Sequence, residues 1–170
     1  MNSLDAIRTK RAVRQFQDQP LPPETVHLIL NAGRRAQSSK NTQPWHFIAV
    51  QDRERLLKLS TLGTFAGHLA GAALAVGIIT PPPETRFSVM FDAGQAAAYM
   101  QLSALDLGVG SCLATIYQPD LARQLLRFPD SLTMLIALSF GYPQEAGLLS
   151  AAPQKSGRRP FKETVHWEKW

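Results

Sequence analysis

The sequence predicts a single domain in which helices pack against short, buried strands. The chain has 170 residues, of which 45% are hydrophobic and 18% are charged, so it can form one substantial core. Residues 72–79 and 132–140 are largely apolar, as strands buried on both faces are. Residues 86–107 instead repeat apolar or small side chains at helical spacing. Both helices and strands are therefore expected.

Two helices and a strand are predicted in the first third of the chain. The first helix begins with Ser3 as its N-cap and continues through residues 10–16. Residues 22–36 form the second helix, because two prolines suit its first turn and apolar side chains then recur at helical spacing. His46–Val50 is short and rich in aromatic and β-branched residues, which predicts a strand.

The remaining elements follow from the same two periods, and Gly108 is the expected left-handed end of the longest helix. In order they are a helix at 52–59 whose three leucines face inward, a strand at 72–79, a helix at 86–107, a strand at 109–115, a helix at 119–127 and a strand at 132–140. The long helix has apolar or small residues on two neighbouring stripes, so we expect it to be broadly buried. Its small residues, Gly94 and the alanines at 96–98, would admit a helix from a second subunit.

Positive charge gathers at the two ends of the sequence. The net charge is +5, and residues 52–154 carry no positive excess. Residues 1–51 contain seven Lys and Arg against three Asp and Glu, and residues 155–170 contain five against two. Proteins that bind nucleic acids usually spread their cations along one helix or face. Two basic ends that meet in space suit a compact anion better, such as one phosphate group.

Several classes of function lack support in the sequence. Cys112 is the lone cysteine, which excludes an internal disulfide and indicates a reducing compartment. The N-terminus is charged and the weakly polar run 69–80 is too short for a bilayer, so we expect a cytoplasmic protein without membrane contact. His68 has no Cys or second His at ligand spacing, so no metal site is expected.

Motifs for chemistry by the protein alone are also missing. The sequence has no glycine-rich phosphate loop, no nucleophile elbow and no paired carboxylates near a histidine. If the chain is an enzyme, its chemistry therefore belongs to a bound cofactor.

A polar loop precedes the first strand. Residues 37–47 contain hydroxyl, amide, amine and imidazole side chains without an apolar period, and include a Pro-Trp pair. Such a loop, fastened to a core strand, suits hydrogen bonds around a flat polar ligand. A solvated loop whose Trp45 plugs the core is the competing interpretation.

Three motifs together resemble the nitroreductase family. They are Lys10-Arg11-Ala12-Val13-Arg14-Gln15-Phe16, Ser38-Ser39-Lys40-Asn41-Thr42-Gln43-Pro44-Trp45-His46-Phe47, and Arg158-Arg159-Pro160 shortly before Val165-His166-Trp167. They occur in the family's order and at plausible spacings. Gly141-Tyr142-Pro143 and residues 107–112 match further family-like segments, so the resemblance covers nearly the whole chain.

The resemblance implies an α+β, nitroreductase-like fold with a mixed central β-sheet flanked by helices. Residues 1–170 would form one domain of an intertwined homodimer, with two flavin sites at the subunit interface. The C-terminal arm, residues 155–170, would dock on the core or on the partner subunit, because its two tryptophans would be unfavourable in water.

The resemblance also implies which residues hold the flavin mononucleotide (FMN). Carried over by position, the cofactor-binding residues are Lys10, Arg11, Ala12, Arg14, Ser38, Ser39, Asn41, Ala114, Thr115, Arg158 and Arg159. The arginines would hold the phosphate and ribityl chain or reach the ring edge, and the serine loop would approach from the other subunit. No catalytic side chain is expected, because the flavin carries the chemistry and the backbone near Thr115 and Ile116 lies beside its reactive nitrogen.

The implied activity is that of an FMN-dependent oxidoreductase. It would take hydride from NADH or NADPH and reduce a nitro compound, a quinone or a related small molecule, in alternation at one site. Three departures from the family pattern are Ala12 for Ser, Gln37 for Pro, and Thr115-Ile116 for Glu-Gly. The chain is also short for the family, so we expect a more open substrate pocket.

Two other functions stay open at this point. A flavoprotein of the same fold could instead fragment flavin or remove halogens reductively. A small basic module could bind an anion or nucleic acid without catalysis. The sequence does not choose between NADH and NADPH, and it does not identify the electron acceptor.

Overall fold

An antiparallel sheet lies at the centre of the structure, a computed structural model that describes residues 1–149 and 157–170. Its strands, within the described residues, are β1 His46–Val50, β2 Leu74–Thr80, β3 Gly110–Thr115 and β4 Thr133–Gly141. They are ordered β1-β2-β4-β3, and each neighbouring pair is antiparallel. The four predicted strands are therefore confirmed to within two residues at each end.

The sheet differs from the mixed one that the resemblance implied. Every pair of named strands in the described part of the chain is antiparallel, and the parallel pairing there is an isolated bridge between Ala12 and Ser111. Helices still flank the sheet on both faces, so the α+β class is confirmed.

The helices agree with the predicted order. Those described are α1 Ser3–Thr9, α2 Pro23–Arg34, α3 Arg53–Ser60, α4 Val89–Asp106, α5 Pro119–Leu126 and α6 Phe161–Thr164, with 3-10 turns at Ser39–Asn41, Gly67–Leu69 and Ala146–Leu149. Asn2, not Ser3, caps α1, because its side chain accepts a hydrogen bond from the Asp5 amide. Gly108 follows α4 with φ +72°, as expected of a left-handed helix end.

Two hydrophobic cores lie on the two faces of the sheet. Helices α2 and α4 cover one face, where Ile29, Met100 and Phe140 are fully buried. Helices α3 and α5 and the turn at 67–69 cover the other face, around Leu56 and Met134. Each such side chain contributes about 1.5–3 kcal/mol on burial. Every residue of β2 is buried, which confirms the prediction of a strand covered on both sides.

Two predictions about buried helix faces were wrong in part. Leu57 was expected to face inward, but it is 59% exposed, because Leu56 and Leu59 already define the inward face of α3. Ala93, Ala97 and Met100 of α4 are buried, whereas two phenylalanines on the predicted inward stripe are exposed, namely Phe91 in the helix and Phe87 just before it.

Exposed apolar side chains gather at the start of α4. We call them the α4 stripe, which consists of Phe87, just before the helix, and Met90 and Phe91 in its first turn. The rings of Phe87 and Phe91 meet edge to face at 5.3 Å. Exposed aromatic and apolar side chains clustered at one end of a helix are typical of a protein–protein contact. No helix in the described part of the chain has the length and apolarity needed to cross a membrane.

The C-terminal arm lies on the surface of the chain. Its first residues, 155 and 156, are outside the described part. Beyond them Trp167 is 80% exposed and Trp170 is 99% exposed, and the Trp170 ring stacks on His166 at 4.2 Å. The expectation that this arm docks on the core or on the partner subunit stays a prediction.

Candidate functional site

The basic segment after α1 is extended, not helical. The prediction continued the first helix through residues 10–16, but α1 ends at Thr9. The Val13 amide donates to the Ser111 carbonyl at 3.0 Å, and Ala12 forms the parallel bridge to the same residue. Pairing with the free edge of β3 thus replaces the helical hydrogen bonds. Arg11 and Arg14 consequently belong to an extended segment instead of one helix face.

Glycines let this segment lie close to the sheet. A Cβ at Gly110 would stand 2.7 Å from Val13 Cβ, and a Cβ at Gly141 would stand 2.9 Å from Phe16 Cδ1. Such contacts are closer than carbon atoms tolerate, so only glycine admits the segment here. Val13 is 2% exposed and anchors the segment, as predicted.

The two basic ends of the chain meet in one cleft. Its volume is about 650 Å³, and its walls include Lys10, Arg11, Ala12 and Arg158. This confirms the expectation that the charged ends come together. Arg159, which follows in the sequence, is exposed. The predicted phosphate-binding residues therefore converge, with Arg158 rather than Arg159 among the described residues that line the cleft.

Cations crowd this cleft. Burial lowers the pKa of Lys10, and the Arg14 guanidinium lowers it further, while Cys112 opposes the shift. The Arg11 guanidinium is held by the backbone of nearby residues, since Nη1 donates to the Arg8 carbonyl at 2.7 Å and to the Lys10 carbonyl at 2.9 Å. Like charges that lie together in a partly buried cleft favour an anionic ligand.

The backbone of the polar loop, residues 38–43, is held by Asp92 of α4 and by Arg86 just before that helix. The Ser39 amide donates to Asp92 Oδ1 at 3.0 Å, and Arg86 Nη2 donates to the Ser39 carbonyl at 3.1 Å. Asp92 is only 3% exposed, and its Oδ2 lies 4.0 Å from Arg86 Nη2. Asp92 and Arg86 thus hold the backbone N–H and C=O groups of Ser39.

The loop adopts an unfavourable backbone conformation. Lys40, Asn41 and Gln43 all have positive φ, at 53°, 54° and 46°. Each such residue costs roughly 1–2 kcal/mol when it is not glycine. Internal hydrogen bonds oppose that strain, because the Gln43 amide donates to Ser38 Oγ at 2.9 Å. The side chains of Ser39 and Asn41 remain exposed.

The loop and the cleft are at opposite ends of α4. Ser39 is bonded to Asp92 near the start of α4, whereas Ala12 of the cleft pairs with Ser111, shortly after α4 ends at Asp106. Asp92 and Asp106 are fourteen residues apart in one helix, which corresponds to about 21 Å. The loop of one chain therefore does not complete its own cleft.

The end of β3 supplies the third predicted part of the site. Ala114 is 1% exposed and Ile116 is 1% exposed, whereas Thr115 is exposed. Thr115 follows Ser111 by about 13 Å along the strand. The Tyr117 amide donates to the Leu62 carbonyl at 2.8 Å, which joins the end of the strand to the loop that follows α3.

A buried histidine next to this edge was not among the predicted site residues. His68 is 8% exposed, and its Nδ1 lies 2.8 Å from Ser139 Oγ. The Ser139 hydroxyl in turn donates to the Cys112 carbonyl at 3.3 Å. Burial lowers the pKa of His68, Arg14 lowers it further, and the Leu113 carbonyl opposes the shift.

His68 and Arg14 share a second cavity. It has a volume of about 540 Å³ and is lined by Arg14, Gln15, Phe65, Gly67 and His68. Burial raises the pKa of the nearby Cys112 thiol, although Arg14 and Lys10 oppose this. The segment after α1 thus contributes to both cavities, with Lys10 and Arg11 in the first and Arg14 in the second.

Comparison with known proteins identifies relatives of this chain. The model of the nitroreductase family matches residues 7–66 and 64–142. A protein of Archaeoglobus fulgidus named "Putative NADH dehydrogenase/NAD(P)H nitroreductase" is 31% identical over 98% of this chain and 98% of its own length. The FMN reductase (NADPH) of Bacillus subtilis is 25% identical over 97% of this chain and 74% of its own.

Solved structures share the fold. The FMN-dependent nitroreductase of Clostridium difficile superposes with a TM-score of 0.85 at 29% identity, and the match covers 98% of this chain and 99% of that one. The overall fold described above is thus shared with that solved structure.

Proposed function

Because this chain belongs to the nitroreductase family, we propose that it is an FMN-dependent oxidoreductase. In this proposal it takes hydride from NADH or NADPH and reduces a nitro compound, a quinone or a related small molecule. The names of its relatives support an oxidoreductase that uses these cofactors. The observation that carries the proposal is the basic cleft, where Lys10 and Arg11 meet Arg158 beside β3.

The cleft fits the phosphate of FMN. Guanidinium groups bind phosphate oxygens through charged, often bidentate hydrogen bonds. Arg11 and Arg158 supply two of them, and Lys10, whose pKa is lowered by its surroundings, gains from a bound anion. In the proposal these residues hold the phosphate, while Ala12 provides backbone close to it.

The free edge of β3 fits the rest of the cofactor. Residues 111–115 extend from the cleft, and both Leu113 and Thr115 are exposed on the same side of the strand. The backbone at Ala114 and Thr115 is fixed through the neighbouring Ile116 amide, which donates to the Leu135 carbonyl at 2.9 Å. A flat ring system along this edge would meet rigid backbone groups there.

We propose that the site is completed by a second copy of the chain. The loop with Ser38, Ser39 and Asn41 is held at the start of α4, whereas the cleft lies near the other end of this helix, whose residues 92 and 106 are about 21 Å apart. The α4 stripe and the exposed tryptophans of the C-terminal arm provide apolar surface for association. In a homodimer, the loop of each subunit would face the cleft of the other.

When bound, FMN supplies the hydride and electron transfer itself. The residues of this chain would bind its phosphate, orient its ring on the β3 edge and leave one face open to NAD(P)H and to the acceptor in turn. No side chain is needed as a proton donor in this scheme. Thr115 would be nearest the reacting atoms, through its backbone.

The proposal is tested with the purified protein under anaerobic conditions. We expect a yellow protein with one FMN per chain, whose flavin absorbance is bleached by NADH or NADPH and restored by a nitroaromatic compound or a quinone. A panel of such acceptors at constant NAD(P)H then identifies the preferred class. A colourless protein that takes up no FMN, or bound flavin that NAD(P)H does not reduce, contradicts the proposal.

A further inference from the structure

Two adjoining cavities lie where the start of α3 meets the end of α5, on the side of the sheet opposite to α2 and α4. Their volumes are about 300 Å³ and 360 Å³, and both are lined by Asp52, Arg55, Leu125 and Arg127. We call the two cavities together the α3–α5 groove. None of the described residues that line it belongs to the basic cleft, to the loop of residues 38–43 or to the α4 stripe. The groove is therefore separate from the site proposed above.

One end of the groove has an apolar floor. The smaller cavity is lined by β1 and by the last turn of α5, which contribute Ile48, Val50, Leu125 and Leu126. Val50 is buried, and the other three side chains are partly buried against the core that α3 and α5 cover. A cavity of this size is at the lower end of the range for small-molecule sites. Its floor suits a small hydrophobic body.

The other end of the groove is cationic. The larger cavity is lined by Arg55, Lys58 and Arg127 and by the carboxylates of Asp52 and Glu54. Both carboxylates are already paired, because Asp52 Oδ1 lies 3.6 Å from Arg55 Nη1 and Glu54 Oε1 accepts from Lys58 Nζ at 2.6 Å. Arg127 forms no ion pair with any residue that the structure describes. Its guanidinium is the cation that remains for an anionic ligand.

The backbone fixes the position of Arg127. Helix α5 ends at this residue in the left-handed conformation, with φ 56° and ψ 42°, and the Arg127 amide donates to the Arg123 carbonyl at 2.7 Å. Glycine usually occupies such a helix end. Phe128, the next residue, is 8% exposed and anchors the turn in the core. Because the backbone is held in this way, a ligand would order only the side chain of Arg127, which limits the entropy cost of binding.

We propose that the α3–α5 groove binds a small organic carboxylate with an aromatic or short aliphatic body. Arg127 would donate to both carboxylate oxygens. Ile48, Leu125 and Leu126 would cover the body of the ligand. A compact inorganic anion would leave this apolar floor uncovered, and an uncharged molecule would leave Arg127 without a partner. The ligand therefore needs both parts. The inference does not depend on the proposed function, since it uses no residue of the flavin site.

The test is a titration of the full chain, as purified, with benzoate, followed by NMR of its methyl groups. Benzamide is the control ligand without the charge, and acetate is the control ligand without the apolar body. We expect saturable benzoate-induced shifts at Ile48, Leu125 and Leu126 in the millimolar range. Each control ligand should bind at least about tenfold more weakly, because it loses either the charged hydrogen bonds or the buried ring.

Two variants identify the group that holds the carboxylate. Arg127→Gln keeps a polar side chain and removes the charge, so it should bind benzoate no more tightly than benzamide. Arg34→Gln is the matched control, because Arg34 is an exposed arginine of α2, on the other side of the sheet. This variant should keep the full preference of the wild type for benzoate.

Equal binding of benzoate and benzamide by the wild type, or an unchanged preference for benzoate in Arg127→Gln, would overturn the inference. Benzoate-induced shifts confined to Ile7 and Ala12, which line the basic cleft, would also overturn it. If Arg127→Gln does not fold, nuclear Overhauser contacts in the unsubstituted protein decide the matter. The inference requires contacts between the benzoate ring and the Leu125 methyl groups, and their absence at saturating benzoate would refute it.

Discussion

The replacement Asp92→Ala should loosen the loop of residues 38–43 and weaken FMN binding. Asp92 is buried and its Oδ1 accepts the Ser39 amide at 3.0 Å. A hydrogen bond to a charged group contributes about 1.5–3 kcal/mol. The loop contains three non-glycine residues with positive φ, at about 1–2 kcal/mol each, so the loss of this bond leaves that strain opposed only by the remaining hydrogen bonds of the loop.

We expect the free energy of unfolding of Asp92→Ala, measured by urea denaturation, to fall by about 1.5–3 kcal/mol. FMN would then have to order the loop on binding. If this costs the same 1.5–3 kcal/mol, FMN affinity falls by about 10–100-fold. Asp92→Asn is the matched control. It keeps an oxygen acceptor for Ser39 and loses only the charge that faces Arg86 at 4.0 Å, so it should stay within about 1 kcal/mol of the wild type.

A result in which Asp92→Ala unfolds at the wild-type urea concentration and binds FMN with wild-type affinity would refute this reasoning. If Asp92→Asn lost as much stability and FMN affinity as Asp92→Ala, both losses would be due to the missing charge and not to the missing Ser39 hydrogen bond. The two variants thus separate the electrostatic role of the carboxylate from its role as an acceptor.

Three further predictions follow from the site. Arg158→Ala should weaken FMN binding by about 10–100-fold in a fluorescence titration, and Arg159→Ala by much less, because Arg158 lines the cleft; equal losses would contradict this. Gly63→Ala would place a Cβ 2.1 Å from the Thr115 carbonyl, so urea unfolding should show a loss of about 1–3 kcal/mol; wild-type stability would contradict that contact. Phe91→Glu should dissociate the proposed dimer in light scattering, since it puts a charge on the α4 stripe; a stable dimer would exclude this surface.

Much of the fold could be predicted because strands and long helices have strong local patterns. The strand at 46–50 was predicted residue for residue, since its last four residues are apolar and stand between a polar loop and a charged helix start. The extended path of residues 10–16 could not be predicted from spacing. It results from pairing with Ser111, about a hundred residues away in the sequence.

The exposed face of α4 was missed for a different reason. An exposed apolar side chain gives the same local sequence pattern as a buried one, so Phe87 and Phe91 were indistinguishable from core residues. The basic residues of the cleft, by contrast, could be found from charge counts and motifs together.

The polar residues that organise the site have the weakest signals in the sequence. Asp92 is an acid early in an apolar, small-residue helix whose other acid, Asp106, is its last residue. His68 stands alone in a loop rich in glycine and alanine. The unusual setting of Asp92 is a signal that could have been noticed. The partners themselves could not be found, because Ser39 is 53 residues from Asp92 and Ser139 is 71 residues from His68.

The central claim is that one FMN site combines the cleft of one subunit with the loop of the other. Mixed dimers test it most directly. Arg158→Ala disables the cleft, and Ser39→Trp blocks the loop, so neither homodimer should bind FMN well. A dimer with one subunit of each kind, purified through two different tags, has one intact site, made by the cleft of the second subunit and the loop of the first.

We predict that this mixed dimer binds one FMN per dimer with wild-type affinity and is reduced by NAD(P)H, whereas both homodimers bind weakly. If each site were built within a single chain, the mixed dimer would bind no better than the homodimers. That result would contradict the account.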